Sequence, residues 1–153
     1  MLRSMMSPRA LVAAAGLSLL VGCADSPPPS HAATDGGPQL AGAWYQVFFD
    51  TDSVEINPRG RMIIQTVGNV VKSDDTVRVS IVGKTDRVGA PAANVVLSER
   101  RANSVRDALI AEAVPAARID TAWAGEGKQD VATADNVAEK RNRVVDIVVQ
   151  QPY

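Results

Sequence analysis

Sorted by the chemistry they could do, the side chains leave few options. The chain carries 17 acidic and 16 basic residues but one histidine, His31, and one cysteine, Cys23. A structural zinc site, a disulfide framework and a Ser-His or Cys-His catalytic pair each lack parts, and no cofactor or metal is expected. Paired carboxylates remain, with Asp50, Asp52 and Glu126 as the candidates for a glycosidase-type acid and base. Asp50 and Asp52, however, sit among turn formers at the end of an alternating run, where their ordinary work is capping, so no enzyme is expected. Arg101 is more informative. It falls four residues after Leu97 and four before Val105, so it interrupts the apolar stripe of its own helix. A charge on a packing face needs a partner. Spacing alone leaves two readings open: a plain ion pair with Asp86 that pins a loop to the helix, or a ligand.

The elements that must position these groups follow from period and punctuation. Tyr45 to Phe49 alternates as a strand, and Asp50 to Ser53 closes it. Asn57-Pro58 reads as an N-cap with proline at the first helical position, ahead of Ile63, Val67, Val70 and Val71. Val77, Val79 and Ile81 predict a second strand, followed by the loop Gly83 to Gly89 and a helix opening near Pro91. Ile119 to Trp123 reads as a third strand, residues 133–141 as a short helix, and Val145, Ile147 and Val149 as a last strand. Helices too few to cover two faces predict an α+β layer pair, one mixed sheet with helices on one side. Trp123 reads as a core residue in preference to a flat face for a sugar.

Composition bounds the rest. Hydrophobic residues make up 46% and charged residues 22%, an ordinary globular mix. Arg3 and Arg9 precede the charge-free run from residue 10 to 21, which is long enough for an export signal but short of the roughly 20 residues a spanning helix needs. Leu20-Val21-Gly22-Cys23 resembles the bacterial lipoprotein signal, so residues 1–22 are expected to be removed and Cys23 acylated. Ala24 after the cysteine favours the outer membrane, with the chain facing the periplasm. Loss of the signal takes the net charge from -1 to -3, the wrong sign for a nucleic-acid binder. Residues 24–43, rich in Pro and Gly and including a solvated His31, form a tether reaching about 25 Å as a coil and about 60 Å drawn out. Residues 44–153 remain for one domain.

Three stretches together are specific: Phe48-Phe49-Asp50-Thr51-Asp52-Ser53; Gly83-Lys84-Thr85-Asp86 through Asn94 to Leu97-Ser98-Glu99-Arg100-Arg101-Ala102; and Arg141-Asn142-Arg143-Val144. In order and spacing they resemble the OmpA-like peptidoglycan-binding domain of the peptidoglycan-associated lipoprotein type. The resemblance implies a βαβαββ fold that holds the diaminopimelate of the wall peptide non-covalently, through Asp86 and Arg101, with Asn94 and Arg143 beside them. The chemistry agrees with those roles. The free end of diaminopimelate carries an ammonium and a carboxylate on one carbon, which suit a carboxylate acceptor and a guanidinium fork. Lysine-type walls lack that carboxylate and would leave Arg101 unpaired. Two departures stand out: Val144 replaces the motif's second arginine, and Lys84 brings an amine next to Thr85. The expected function is an outer-membrane tether to peptidoglycan, with a periplasmic scaffold that docks envelope proteins as the alternative.

Overall fold

The computed structural model describes residues 42–151. The expected signal, Cys23, and the tether except for Gly42 and Ala43 lie outside them. The described chain runs β1 (Trp44–Phe48), α1 (Pro58–Ser73), β2 (Arg78–Gly83), α2 (Pro91–Ala111), a 3-10 turn (Ala116–Arg118), β3 (Ile119–Trp123), a second 3-10 turn (Lys140–Asn142) and β4 (Val144–Gln150). The strands form one sheet in the order β1-β4-β2-β3. β4 lies antiparallel to both β1 and β2, whereas β2 and β3 are parallel and joined through α2. This is the βαβαββ arrangement expected, with both helices packed on one face.

Local chemistry accounts for the boundaries. Asn57 caps α1, its Oδ1 accepting from the Gly60 N–H at 2.8 Å while its Nδ2 donates to the Phe48 carbonyl at 3.0 Å. One side chain thus ends β1 and starts α1. Between the helices and the sheet lies a core of branched aliphatics, among them Val67, Val71, Val79, Ile81, Val105, Leu109, Ile147 and Val149, closed at one end by Phe49. β4 is buried at five of its seven positions and half-buried at a sixth, as befits a central strand.

Helix α2 approaches β2 closely. A Cβ at Gly83 would collide with the Ser98 carbonyl oxygen and crowd the Ala102 methyl. Gly83→Ala is therefore expected to push the helix off the sheet and cost about 2–3 kcal/mol, read as a lower urea midpoint at unchanged slope.

Two expectations need correction. Residues 133–141 do not form a helix; only Lys140–Asn142 makes a single 3-10 turn. Their amides are spent on a neighbouring loop, Asn136 N–H on the Arg87 carbonyl and Glu139 N–H on the Asp86 carboxylate, and Asn136 takes a left-handed φ of 59°. Trp123 is not a core residue: at the last position of an edge strand it is 44% exposed.

Candidate functional site

The C-terminal end of β1, the loop after β2, the middle of α2 and the approach to β4 converge around Arg101. The buried face of α2 begins with Asn94, Ser98 and Arg101 and turns apolar only at Ala102, Val105 and Leu109. Leu97, expected in the stripe, is half-buried. Arg101 itself is fully buried. Its fork is spread over three backbone carbonyls: Nε donates to Ser53 at 2.9 Å, Nη2 to Asp50 at 2.8 Å and Nη1 to Lys84 at 3.3 Å. The Phe49 ring lies against it, 5.2 Å from centroid to guanidinium. Burial pushes the Arg101 pKa down to about 10, against the pull of Asp86 and Asp52 and aided by the nearby Arg143 cation. The group stays charged at neutral pH, but its surroundings return less than its burial costs.

The plain Asp86–Arg101 ion pair is not formed. Asp86, 4% exposed, pairs with Arg143 instead: Nη1 of Arg143 donates to Asp86 Oδ2 at 2.9 Å, and the Glu139 N–H reaches the same oxygen at 3.2 Å. Asp86 Oδ1 accepts no hydrogen bond among the described residues. Arg143 is anchored in turn by its Nε on the Phe49 carbonyl at 3.2 Å. The cluster is thus one carboxylate and two guanidinium groups, with a net charge of +1, an open acceptor and an under-compensated cation. Such a set can hold a group that bears an ammonium and a carboxylate together.

Of the residues singled out from sequence, Asp86, Arg101 and Arg143 come together. Asn94 stands apart from them in its bonding, since its Nδ2 donates to Glu126 Oε2 at 2.7 Å. Cys23 lies outside the described residues. Sequence reasoning missed the Asp50, Ser53 and Lys84 carbonyls and the Glu139 amide; the only signal was the run of turn formers after Phe49. Val144, where the motif has a second arginine, is fully buried.

The Lys84 carbonyl stays in the pocket, but its side chain turns away from it. Its Nζ lies 2.6 Å from both Asp130 Oδ1 and Asp146 Oδ2, and Gln46 Nε2 bridges the same two carboxylates at 2.8 and 3.0 Å. This ring ties β1, β2 and β4 to the segment before Lys140. Burial alone lowers the Lys84 pKa, but the bonds and charges of Asp130 and Asp146 outweigh it and raise it above the ordinary 10.5. Its contribution is therefore complete below pH 10.5 and fades as pH rises through the higher folded value. Lys84→Met is expected to cost about 2 kcal/mol at pH 7, reduced by the partial exposure of Asp130. Melting curves of both proteins should converge above pH 10.5; a gap constant with pH would remove the charge from the explanation.

Comparison with known proteins fits this geometry. The sequence profile of the OmpA family matches residues 48–144, from the end of β1 to the start of β4. The chain belongs to the OmpA family. The matched span contains every residue of the OmpA-family pocket just described. Outer membrane protein A of Bordetella avium is 36% identical over 104 residues, covering 67% of this chain and 53% of that protein. The peptidoglycan-associated lipoprotein of Haemophilus influenzae is 27% identical over 144 residues, covering 88% and 93%. The crystal structure of the peptidoglycan-associated lipoprotein from Burkholderia pseudomallei superposes with a TM-score of 0.64 at 30% identity, covering 69% of this chain and 89% of that one. The chain spans about half or less of the length of three of the curated relatives it matches, at 53%, 29% and 47%. Among the described residues no helix is long and apolar enough to cross a membrane.

Proposed function

We propose that the domain is a non-catalytic anchor that grips the diaminopimelate centre of peptidoglycan. Asp86 Oδ1 takes the ammonium and Arg101 the carboxylate, with Arg143 orienting Asp86. The observation that carries this reading is the open Asp86 Oδ1 in a cluster where two guanidinium groups, Arg101 and Arg143, gather around one carboxylate. An anion seated there supplies the missing counter-charge. Relatives whose names state peptidoglycan association or binding support the ligand class. Asn94 joins the contact if its amide leaves Glu126, and the α2 first turn adds donors for a carboxylate.

In the whole chain, acylated Cys23 holds the outer membrane and residues 24–43 span to the wall. Each grip is small and reversible, and many copies on one polymer make it firm. The test is co-sedimentation of the purified full chain with sacculi. Binding to diaminopimelate-type but not lysine-type sacculi is expected. A folded chain that stays in the supernatant with both rejects the anchor and leaves the periplasmic scaffold. Release of soluble wall fragments would instead make it a hydrolase.

A further inference from the structure

Asn142 is the buried residue of the turn Lys140–Asn142, and its side chain bonds none of the pocket groups. Its amide is spent on Val131 alone: Oδ1 accepts the Val131 N–H at 2.9 Å and Nδ2 donates to the Val131 carbonyl at 2.7 Å. A side chain thus makes both bonds that a neighbouring strand would make. Val131 lies in the irregular stretch between β3 and the turn. That stretch is pinned one residue earlier, where Asp130 takes Lys84 Nζ at 2.6 Å and Gln46 Nε2 at 2.8 Å. The clasp therefore ties the turn to a point held by β1 and by the end of β2.

The turn serves Asp86 from both of its ends. The Glu139 N–H just before it and Arg143 Nη1 just after it reach the same oxygen, Oδ2, at 3.2 and 2.9 Å. Two backbone bonds, from Asn142 to Glu139 and from Arg143 to Lys140, set the shape of the turn. Among the described residues, Lys140 and Arg141 add no side-chain hydrogen bond beyond Glu139. Where the turn stands against Asp86 is therefore set by Asn142 and by the bonds between Arg143 and Phe49. An arginine fork free to shift would close over both oxygens of a carboxylate, its favoured arrangement, and Oδ1 would no longer be open. We propose that Asn142 is a positioning residue of the diaminopimelate site: clasped to Val131, it confines both donors to Oδ2 and so keeps Oδ1 for the ligand's ammonium. The inference rests on the anchor reading and deepens it.

The test compares the full chain with Asn142→Ala, and with Val71→Ala as a control that opens a cavity elsewhere in the fold. Val71 is fully buried and lies about 20 Å along α1 from Asn57, the cap that bonds the Phe48 carbonyl. Titration with free meso-diaminopimelate should give about tenfold weaker binding in Asn142→Ala and wild-type binding in Val71→Ala, although both melt below the wild type. By nitrogen NMR, the Arg143 Nε–H signal should move in Asn142→Ala and stay in place in Val71→Ala. If Asn142→Ala does not fold, Asn142→Asp takes its place. It keeps the size and the bond from the Val131 N–H but loses the donor to the Val131 carbonyl, and should show the same two changes at smaller amplitude. Wild-type affinity in the folded variant, an equal loss in Val71→Ala, or an unmoved Arg143 signal overturns the proposal while the anchor reading stands. A wild type that does not bind diaminopimelate overturns both.

Discussion

If Asp86 takes the ligand's ammonium as proposed, Asp86→Asn is expected to lower affinity for free meso-diaminopimelate by about a hundredfold or more, read by titration, with a protein that still folds. The substitution keeps shape and removes charge. It turns one acceptor into an NH2 group, which meets either Arg143 Nη1, now 2.9 Å from Oδ2, or the incoming ammonium. The site goes from +1 to +2, and the ligand's cation enters among cations. Truncating one partner of a buried charge pair costs about 2–5 kcal/mol, which sets the hundredfold scale. An unchanged affinity for diaminopimelate in the folded variant would move the ammonium site away from Asp86.

Arg101→Ala has the largest effect on the fold. It strands the carbonyls of Asp50, Ser53 and Lys84, which its fork now satisfies, and empties the volume of the largest fully buried side chain. Stranded acceptors and a cavity together cost about 3–5 kcal/mol, a large share of the 5–15 kcal/mol typical of a domain. A fall in melting temperature of about 15 °C or more is expected. Because that variant can fail to fold, Arg101→Lys separates the roles. Lysine keeps the charge but presents a single ammonium where three bonds diverge. It should fold with reduced stability and bind diaminopimelate at least tenfold more weakly. Wild-type stability in Arg101→Ala would remove Arg101 as the brace of the Asp50–Ser53 loop.

These two side chains mark how far the sequence could be read. Alternation and caps located the architecture well: Ile119–Trp123 is β3, and Asn57-Pro58 opens α1. Both are signals carried within a few residues. Arg101 was conspicuous because a charge stood in an apolar stripe. Its partners were not, since they are backbone carbonyls, and every residue has one. The Asp86–Arg143 pair joins positions 57 apart in sequence and depends on the turn Lys140–Asn142. Residues 133–141 looked helical in composition, yet their amides serve the Asp86 loop, a demand visible only once the two segments meet. Trp123 fails for a related reason: strand order, not strand pattern, decides which strand is an edge.

β1 begins just after Ala43 and ends at Phe48, beside the pocket, and its five residues pair in register with β4 from Trp44↔Val148 to Phe48↔Val144. A load applied between the start of the domain and a ligand held at Arg101 therefore runs along the strand. The β1–β4 hydrogen bonds lie across that direction. They are strained together, in shear, and do not open one after another as in peeling. The sheet is therefore oriented so that such tension meets all the β1–β4 hydrogen bonds at once.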